Sequence, residues 1–265
     1  LNAQSYELSV TPKKITIYAN DVAGYFYGVQ TVKQLMAIET SKDTRHTKYL
    51  VPSVTIKDGP RFKWRAFMLD EARYFHGEVF VKQMLDQMAL LKMNTFHWHL
   101  IDDAGWRIEI KKYPLLTKVG AFRADSEIGT WKSGKTSGQP HGGFYTQEQI
   151  KDIVAYAKAR NINIVPEFEM PGHSSAAIAA YTWLGTAGIA IDVPVKFGRL
   201  YDNYDVTKPE VITFMKDVLT EIFELFPSEV IHIGGDEVGY EVWEKSSSVQ
   251  KYMKENNIPT PADLQ

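Results

Sequence analysis

Apolar and polar positions repeat along this chain in two rhythms, and the places where the rhythm changes mark the elements. "YELSVTPKKITIYAND" alternates residue by residue, which predicts a pair of short strands; "GYFYGVQTVKQLMAIE" then places Phe26, Val29, Val32 and Met36 at helical spacing. A polar stretch, "TSKDTRHTK", separates these from "YLVPSVTIKDGPRFKWR". Residues 1–57 therefore read as part of a small α/β unit, and 58–265 as a larger one. From Trp64 onward a strand and a helix alternate. "WRAFMLDEAR", "NTFHWHLIDD", "INIVPEFEMPGH" and "EVIHIGGDE" are strand-like runs that end in charge. The helix after the first carries Phe80, Met84, Met88 and Leu91 on one face. Thr146 and Gln149 form a capping box for the next helix. Thr207 and Glu210 do the same for a helix carrying Val211, Phe214, Met215, Val218, Ile222 and Leu225. This alternation predicts a parallel sheet with both faces covered.

Ionisable groups gather at the C-terminal ends of these runs: Asp70, Glu71 and Arg73; Asp102 and Asp103; Glu167, Glu169 and His173; Asp236 and Glu237. A (β/α)8 barrel builds its site from such strand ends. A doubly wound sheet uses one switch point, and no G-x-G-x-x-G follows a strand here. The expected fold class is α/β, a TIM-type barrel of which about four βα units are present. Four units leave two open sheet edges and an uncovered interior, so we expect either a longer polypeptide or self-association of two copies.

Composition narrows the partner. The chain has 265 residues, of which 44% are hydrophobic and 23% charged, in the range of globular domains. Its net charge of -2 gives no electrostatic reason to expect nucleic acid or an anionic membrane surface. No run in it reads as membrane-inserting. The absence of cysteine excludes disulfides and thiolate metal sites and fits either redox compartment. The opening "LNAQSYELSV" has neither an initiator Met nor a charged-then-apolar leader, which says nothing of location.

The chemistry centres on "EVIHIGGDEVGYEVW". Gly234 and Gly235 permit a turn after the apolar run, and only at such a turn could the adjacent Asp236 and Glu237 address one ligand, since strand neighbours point to opposite faces. Any single strand-end acid is equally a solvated loop residue, yet a cluster of them is a poor way to build a core. Two carboxylates with different tasks are the tools of glycoside hydrolysis, although neighbours are ill placed to flank a sugar from both sides. Two other classes stay open. His97 and His99, two apart on one strand, could join Asp236 in a metal-dependent barrel hydrolase, or could be core histidines. A non-catalytic sugar-binding module is the second. Trp98 reads as packing, Trp106 as ordering a loop, and 126–143 as a mobile lid or loop without chemistry of its own. Glu167 is open to a functional role or to a structural ion pair.

"MLDEARYF", "FHWHLIDDAGWRIEI", "VPEFEMPGHSSA" and "IHIGGDEVGYEVW" resemble, in order, motifs of glycoside hydrolase family 20, the β-N-acetylhexosaminidases; "GYFYGVQTVKQL" resembles the small domain that precedes their barrel. The resemblance implies exo-acting removal of terminal β-linked GlcNAc or GalNAc from an oligosaccharide or glycoconjugate, with no cofactor and no metal. It implies substrate assistance: the sugar's own acetamido oxygen attacks the anomeric carbon, Glu237 acts as acid and then base, and Asp236 orients the acetamido N–H. Arg73 would hold sugar hydroxyls, and Asp102 would orient His173 against Glu237, Asp102 being preferred over Asp103 by motif position. The compartment implied is extracellular, periplasmic or lysosomal.

Overall fold

The computed structural model describes residues 2–39, 48–130, 132–196 and 202–265. The polar stretch read at 40–48 lies, apart from Lys48, outside them. The chain falls into two compact units, one made of Leu1–Phe67, Lys82–Phe96 and Ala155–Asn163, the other of Met68–Val81, His97–Val154 and Ile164–Gln265. Among the described residues no helix is long and apolar enough to cross a membrane.

In the first unit the alternating segments pair as predicted. Tyr6–Val10 and Ile15–Ala19 run antiparallel with Tyr6 opposite Ala19, and Val54–Asp58 adds a third strand on the other edge of Tyr6–Val10. The inward residues Tyr6, Leu8 and Val10 are buried, as a period of two requires. The helix Val22–Leu35 is capped by Asp21, whose side chain accepts from the Gly24 N–H at 2.7 Å. Its buried face differs from the apolar reading: Val29 and Met36 are 43% and 40% exposed, while Gly24, Tyr27, Gly28, Gln30 and Thr31 are buried. The reason is close approach. A Cβ on Gly24 would lie 2.5 Å from the Ser5 carbonyl oxygen, and one on Gly28 would lie 2.6 Å from Ile17 Cγ2. The helix is seated by its glycines, which a count of apolar side chains does not register.

Three of the four predicted barrel strands appear as Ala66–Asp70, Thr95–His99 and Asn163–Glu167, forming one sheet with Thr95–His99 in the middle. The fourth is a parallel bridge between Glu167 and His232, with the Phe168 N–H donating to the His232 carbonyl at 2.9 Å and the His232 N–H to Pro166 at 3.0 Å. The intervening helices are Glu78–Leu90, Gln147–Lys158 and Pro209–Leu225. This is the strand–helix alternation of a TIM-type barrel. The Thr146–Gln149 capping box forms reciprocally, at 2.9 and 3.2 Å. The second does not: Pro209, lacking an N–H and with φ already helical, takes the first helical position after Lys208, and Thr207 turns to Asp205 instead. The face of Glu78–Leu90 is also rotated, with Val81, Leu85, Met88 and Ala89 buried and Leu91 67% exposed. Both stripes are apolar at helical spacing, so periodicity alone does not choose between them.

Within the second unit, the loops after the strands are tied by a buried cation. Arg107 donates to the carbonyls of Glu71, Ala72, Ala104, Ala121 and Gly143 at 2.6–3.4 Å. Gly105 makes room for it, since a Cβ there would lie 2.1 Å from Arg107 Nη2. Trp98 packs edge-on against Tyr145 at 4.8 Å and Phe226 at 6.4 Å, as a core residue should.

The glycine face yields a prediction of sign. Gly24→Ala would gain about 1 kcal/mol of helix propensity, but overpacking against the Ser5 backbone costs roughly 1–3 kcal/mol. The variant should be less stable than wild type by urea denaturation; a more stable variant would show that close approach does not seat this helix.

Candidate active site

All five residues singled out in the sequence, Arg73, Asp102, His173, Asp236 and Glu237, line one cavity of about 490 Å³. The volume lies within the range of small-ligand sites. His97, His99, Glu167, Glu169 and His232 complete its polar lining.

The turn that presents the adjacent acids is left-handed: φ is +63° at Gly234, +87° at Gly235 and +52° at Glu237. The first two cost nothing for glycine, whereas Glu237 carries roughly 1–2 kcal/mol of backbone strain. Gly234 has a second duty. The Glu169 carboxyl lies where its Cβ would be, only 1.8 Å from Oε2, and the same oxygen accepts from the Gly235 N–H at 3.3 Å. Any side chain at position 234 would expel Glu169. The turn breaks strand alternation, so both Asp236 and Glu237 reach the cavity.

Glu237 meets His173, whose Nε2 lies 3.5 Å from Glu237 Oε2; the histidine side chain is 3% exposed and the glutamate 66%. His173 also sits at positive φ, +45°. Its Nδ1 faces two carboxylates, Asp103 Oδ2 at 3.1 Å and Asp102 Oδ1 at 3.5 Å. Hydrogen bonding to Asp102 and to Asp103 raises the pKa of His173 to about 11, against the opposing effect of burial. The ring is therefore an imidazolium near neutral pH. By distance Asp103 is the nearer acceptor, and it is itself fixed by the backbone N–H and hydroxyl of Ser175. Asp102 turns its other oxygen to Arg73 Nη2 at 2.6 Å, while Arg73 Nη1 pairs with Asp70 at 3.0 Å. One carboxylate thus touches both Arg73 and the His173 ring.

Behind this row, Glu167 lies between His97 Nε2 at 2.7 Å and His232 Nδ1 at 3.0 Å. Burial pushes its pKa up, but the His97 hydrogen bond and the charges of His99, His232 and His97 outweigh it and bring the pKa well below the usual range. Glu169 moves the other way. Burial pushes it up to about 8, with the Glu167, Asp236 and Asp102 carboxylates adding to the effect and His173 opposing it. Two acids of one motif are driven apart, one held as an anion and the other as a neutral acid. Groups whose donor atoms are close enough to share an ion include His97–Glu167–His232 and Glu167–Glu169–Asp236. His97, His99 and Asp236, the trio a metal-dependent hydrolase would use, do not fall together in any such group among the described residues.

Sequence reading did not single out Asp70 as the Arg73 partner, Ser175 as the Asp103 clamp, or His232. Only His232 left a signal. It lies two residues before Gly234 in an otherwise apolar strand, on the same face.

Comparison with known proteins places the same segments. Residues 62–265 match the family model described as glycosyl hydrolase family 20, catalytic domain, and 1–59 match glycosyl hydrolase family 20, domain 2. The beta-hexosaminidase of Porphyromonas gingivalis is 41% identical over 266 residues, covering 100% of this chain and 33% of that protein. The beta-hexosaminidase of Vibrio furnissii is 42% identical over 270 residues, covering 100% and 42%. Among solved structures, the beta-N-acetylhexosaminidase of Bacteroides fragilis aligns with a TM-score of 0.82 at 38% identity, covering 100% of this chain and 48% of that one. The exo-beta-N-acetylglucosaminidase of Vibrio harveyi, solved in complex with N-acetylglucosamine, aligns at 0.84 and 37%, covering 100% and 41%. The chain spans less than half the length of each of these relatives.

The charged state of His173 has a testable sign. Its folded pKa is raised above the ordinary 6.5, so its contribution to stability is complete below about pH 6.5, declines as the pH rises, and is lost above about 11. The destabilisation caused by His173→Asn, measured by urea unfolding, should be larger at about pH 6 than at about pH 9. An equal loss at both would mean that the ring is not held as a cation.

Proposed function

The chain belongs to glycosyl hydrolase family 20, and on that premise we propose that it carries the acid/base centre of an exo-acting β-N-acetylhexosaminidase working by substrate assistance. The observation that carries this reading is the placement of Asp236 and Glu237 side by side on a Gly-Gly turn, with His173 3.5 Å from Glu237. A retaining enzyme with its own nucleophile needs two carboxylates about 5–5.5 Å apart across the sugar. Neighbours on one turn serve if the substrate supplies the nucleophile.

In the first step the carbonyl oxygen of the 2-acetamido group forms a bond to C1, the bond from C1 to the leaving oxygen breaks, and Glu237 gives that oxygen its proton. The positive charge moves onto the acetamido nitrogen and carbon as an oxazolinium ring. Asp236 accepts the acetamido N–H and offsets that charge, an electrostatic role that matters most as the ring closes. In the second step the Glu237 carboxylate takes a proton from water while the water oxygen bonds to C1 and the ring opens. His173, a cation 3.5 Å from Glu237, favours the Glu237 carboxylate between the two steps, once its proton has gone to the leaving oxygen. Arg73, anchored through Asp70 and Asp102, offers its remaining donors to sugar hydroxyls. The substrate class is a glycan ending in β-linked N-acetylhexosamine, and the compartment is one where such glycans occur outside the cytosol.

Two outcomes test this. Glu237→Gln should slow substrates with poor leaving groups at least about 100-fold, and activated aryl glycosides much less; equal losses on both would remove Glu237 as the acid. Asp236→Asn should lower turnover of 2-acetamido glycosides and weaken a thiazoline mimic of the oxazolinium by a similar factor. Efficient hydrolysis of 2-hydroxy glucosides by the wild type would refute substrate assistance.

A further inference from the structure

Arg123 is 3% exposed and takes no part in the proton transfers above. It lies on the short strand Phe122–Arg123, paired antiparallel with His141–Gly142. Burying a guanidinium costs several kcal/mol unless its donors are used well. Here they go to neutral oxygens: Nη2 to the Arg73 carbonyl at 2.6 Å, Nη1 to the Ala104 carbonyl at 2.8 Å and Nε to Ser126 Oγ at 2.8 Å. Its Cζ also lies 5.4 Å from the centre of the Tyr74 ring. The placement is made harder by Arg107. Burial and then the Arg123 charge push the pKa of Arg107 down to about 10, so the two cations oppose each other. Tying loops together does not call for the second cation, because Arg107 already holds Glu71, Ala72 and Ala104.

What Arg123 adds is the carbonyl of Arg73 itself. Asp70 Oδ1 accepts the Arg73 N–H at 3.0 Å, so with Arg123 on the carbonyl the backbone of Arg73 is held on both sides. Its guanidinium is held again by Asp70 and Asp102. A group that binds two hydroxyls at once must be placed to within about 0.5 Å, and a side chain can be no better placed than its Cα. We propose that Arg123 is a positioning residue for substrate binding, setting Arg73 against the sugar hydroxyls through the Arg73 carbonyl. This rests on the hexosaminidase reading above.

The test compares wild type, Arg123→Gln, Arg123→Lys, Arg73→Lys and the double variant Arg73→Lys/Arg123→Gln. The readouts are kcat and KM on an aryl N-acetyl-β-glucosaminide, Ki for N-acetylglucosamine, the kcat–pH profile and Tm. Arg123→Gln should raise KM and Ki together by about tenfold, with kcat within about threefold and the pH profile unmoved. Arg123→Lys keeps the charge but lacks the planar fork that reaches the Arg73 and Ala104 carbonyls and Ser126 together, so it should show a smaller shift of the same kind, and it decides the matter if the glutamine variant does not fold. The double variant should be little worse than Arg73→Lys alone. Unchanged KM and Ki, a loss confined to kcat, or full additivity with Arg73→Lys would overturn the inference while leaving the activity standing. A wild type that neither cleaves the glycoside nor binds the sugar would overturn the hexosaminidase reading and this inference with it.

Discussion

His173 is almost wholly enclosed, and it can be a cation there only because Asp102 and Asp103 both face its Nδ1. An unpaired charge at such a depth would cost several kcal/mol and would simply be lost by deprotonation. With the carboxylates in place the ring keeps both protons, and its Nε2 lies 3.5 Å from Glu237 Oε2. The rest of the site follows from keeping those acids still. Ser175 holds Asp103, Arg73 holds the far oxygen of Asp102, and Asp70 holds Arg73. Electrostatic order therefore runs from a buried cation outward to an exposed carboxylate, Glu237, the proton-transferring end on the proposed reading.

Backbone strain falls where this order is delivered. Both members of the facing pair, His173 and Glu237, adopt the left-handed conformation that residues with a Cβ avoid. Each is held by a neighbour that could not be exchanged freely: Ser175 and the acids fix the chain around His173, and Gly234 gives up its Cβ to the Glu169 carboxyl. Such conformations persist only where the surroundings over-determine them, and they concentrate at sites that must hold a geometry before the ligand arrives.

The elements and the position of the site were legible because they rest on period and punctuation. Strand-like runs ending in charge, the Thr146–Gln149 box and the Gly-Gly turn each carry a local chemical reason, and they appear where the sequence puts them, except that the fourth run pairs only through a single bridge. What stayed hidden depends on fit between elements. The glycine face of Val22–Leu35 is decided by how near Ser5 and Ile17 come, and the face of Glu78–Leu90 by which of two apolar stripes meets the interior. Pro209 overrode a capping pattern that was correct as a pattern. The choice between Asp102 and Asp103 was also beyond sequence, since adjacent acids differ only in where the turn sends them, and here both reach the histidine.

The doubling of acids at His173 bears on how, under the proposed substrate assistance, adjacent carboxylates at the next strand would suffice. If one carboxylate had to serve as nucleophile and the other as acid, they would need to lie across the sugar from each other, and no single turn could present both. Once the nucleophile belongs to the substrate, both remaining tasks lie along one side of the acetamido group and the scissile bond. They then differ only in environment. On the proposed reading Asp236 stays charged beside a developing cation and Glu237 exchanges a proton twice. A turn in which the second residue is left-handed separates two neighbouring side chains without separating their Cα atoms: Glu237 meets the His173 ring, while Asp236 gathers with Glu167 and Glu169. The Gly-Gly turn thus converts adjacency in sequence into difference in environment, which is the property that two-step acid–base chemistry requires.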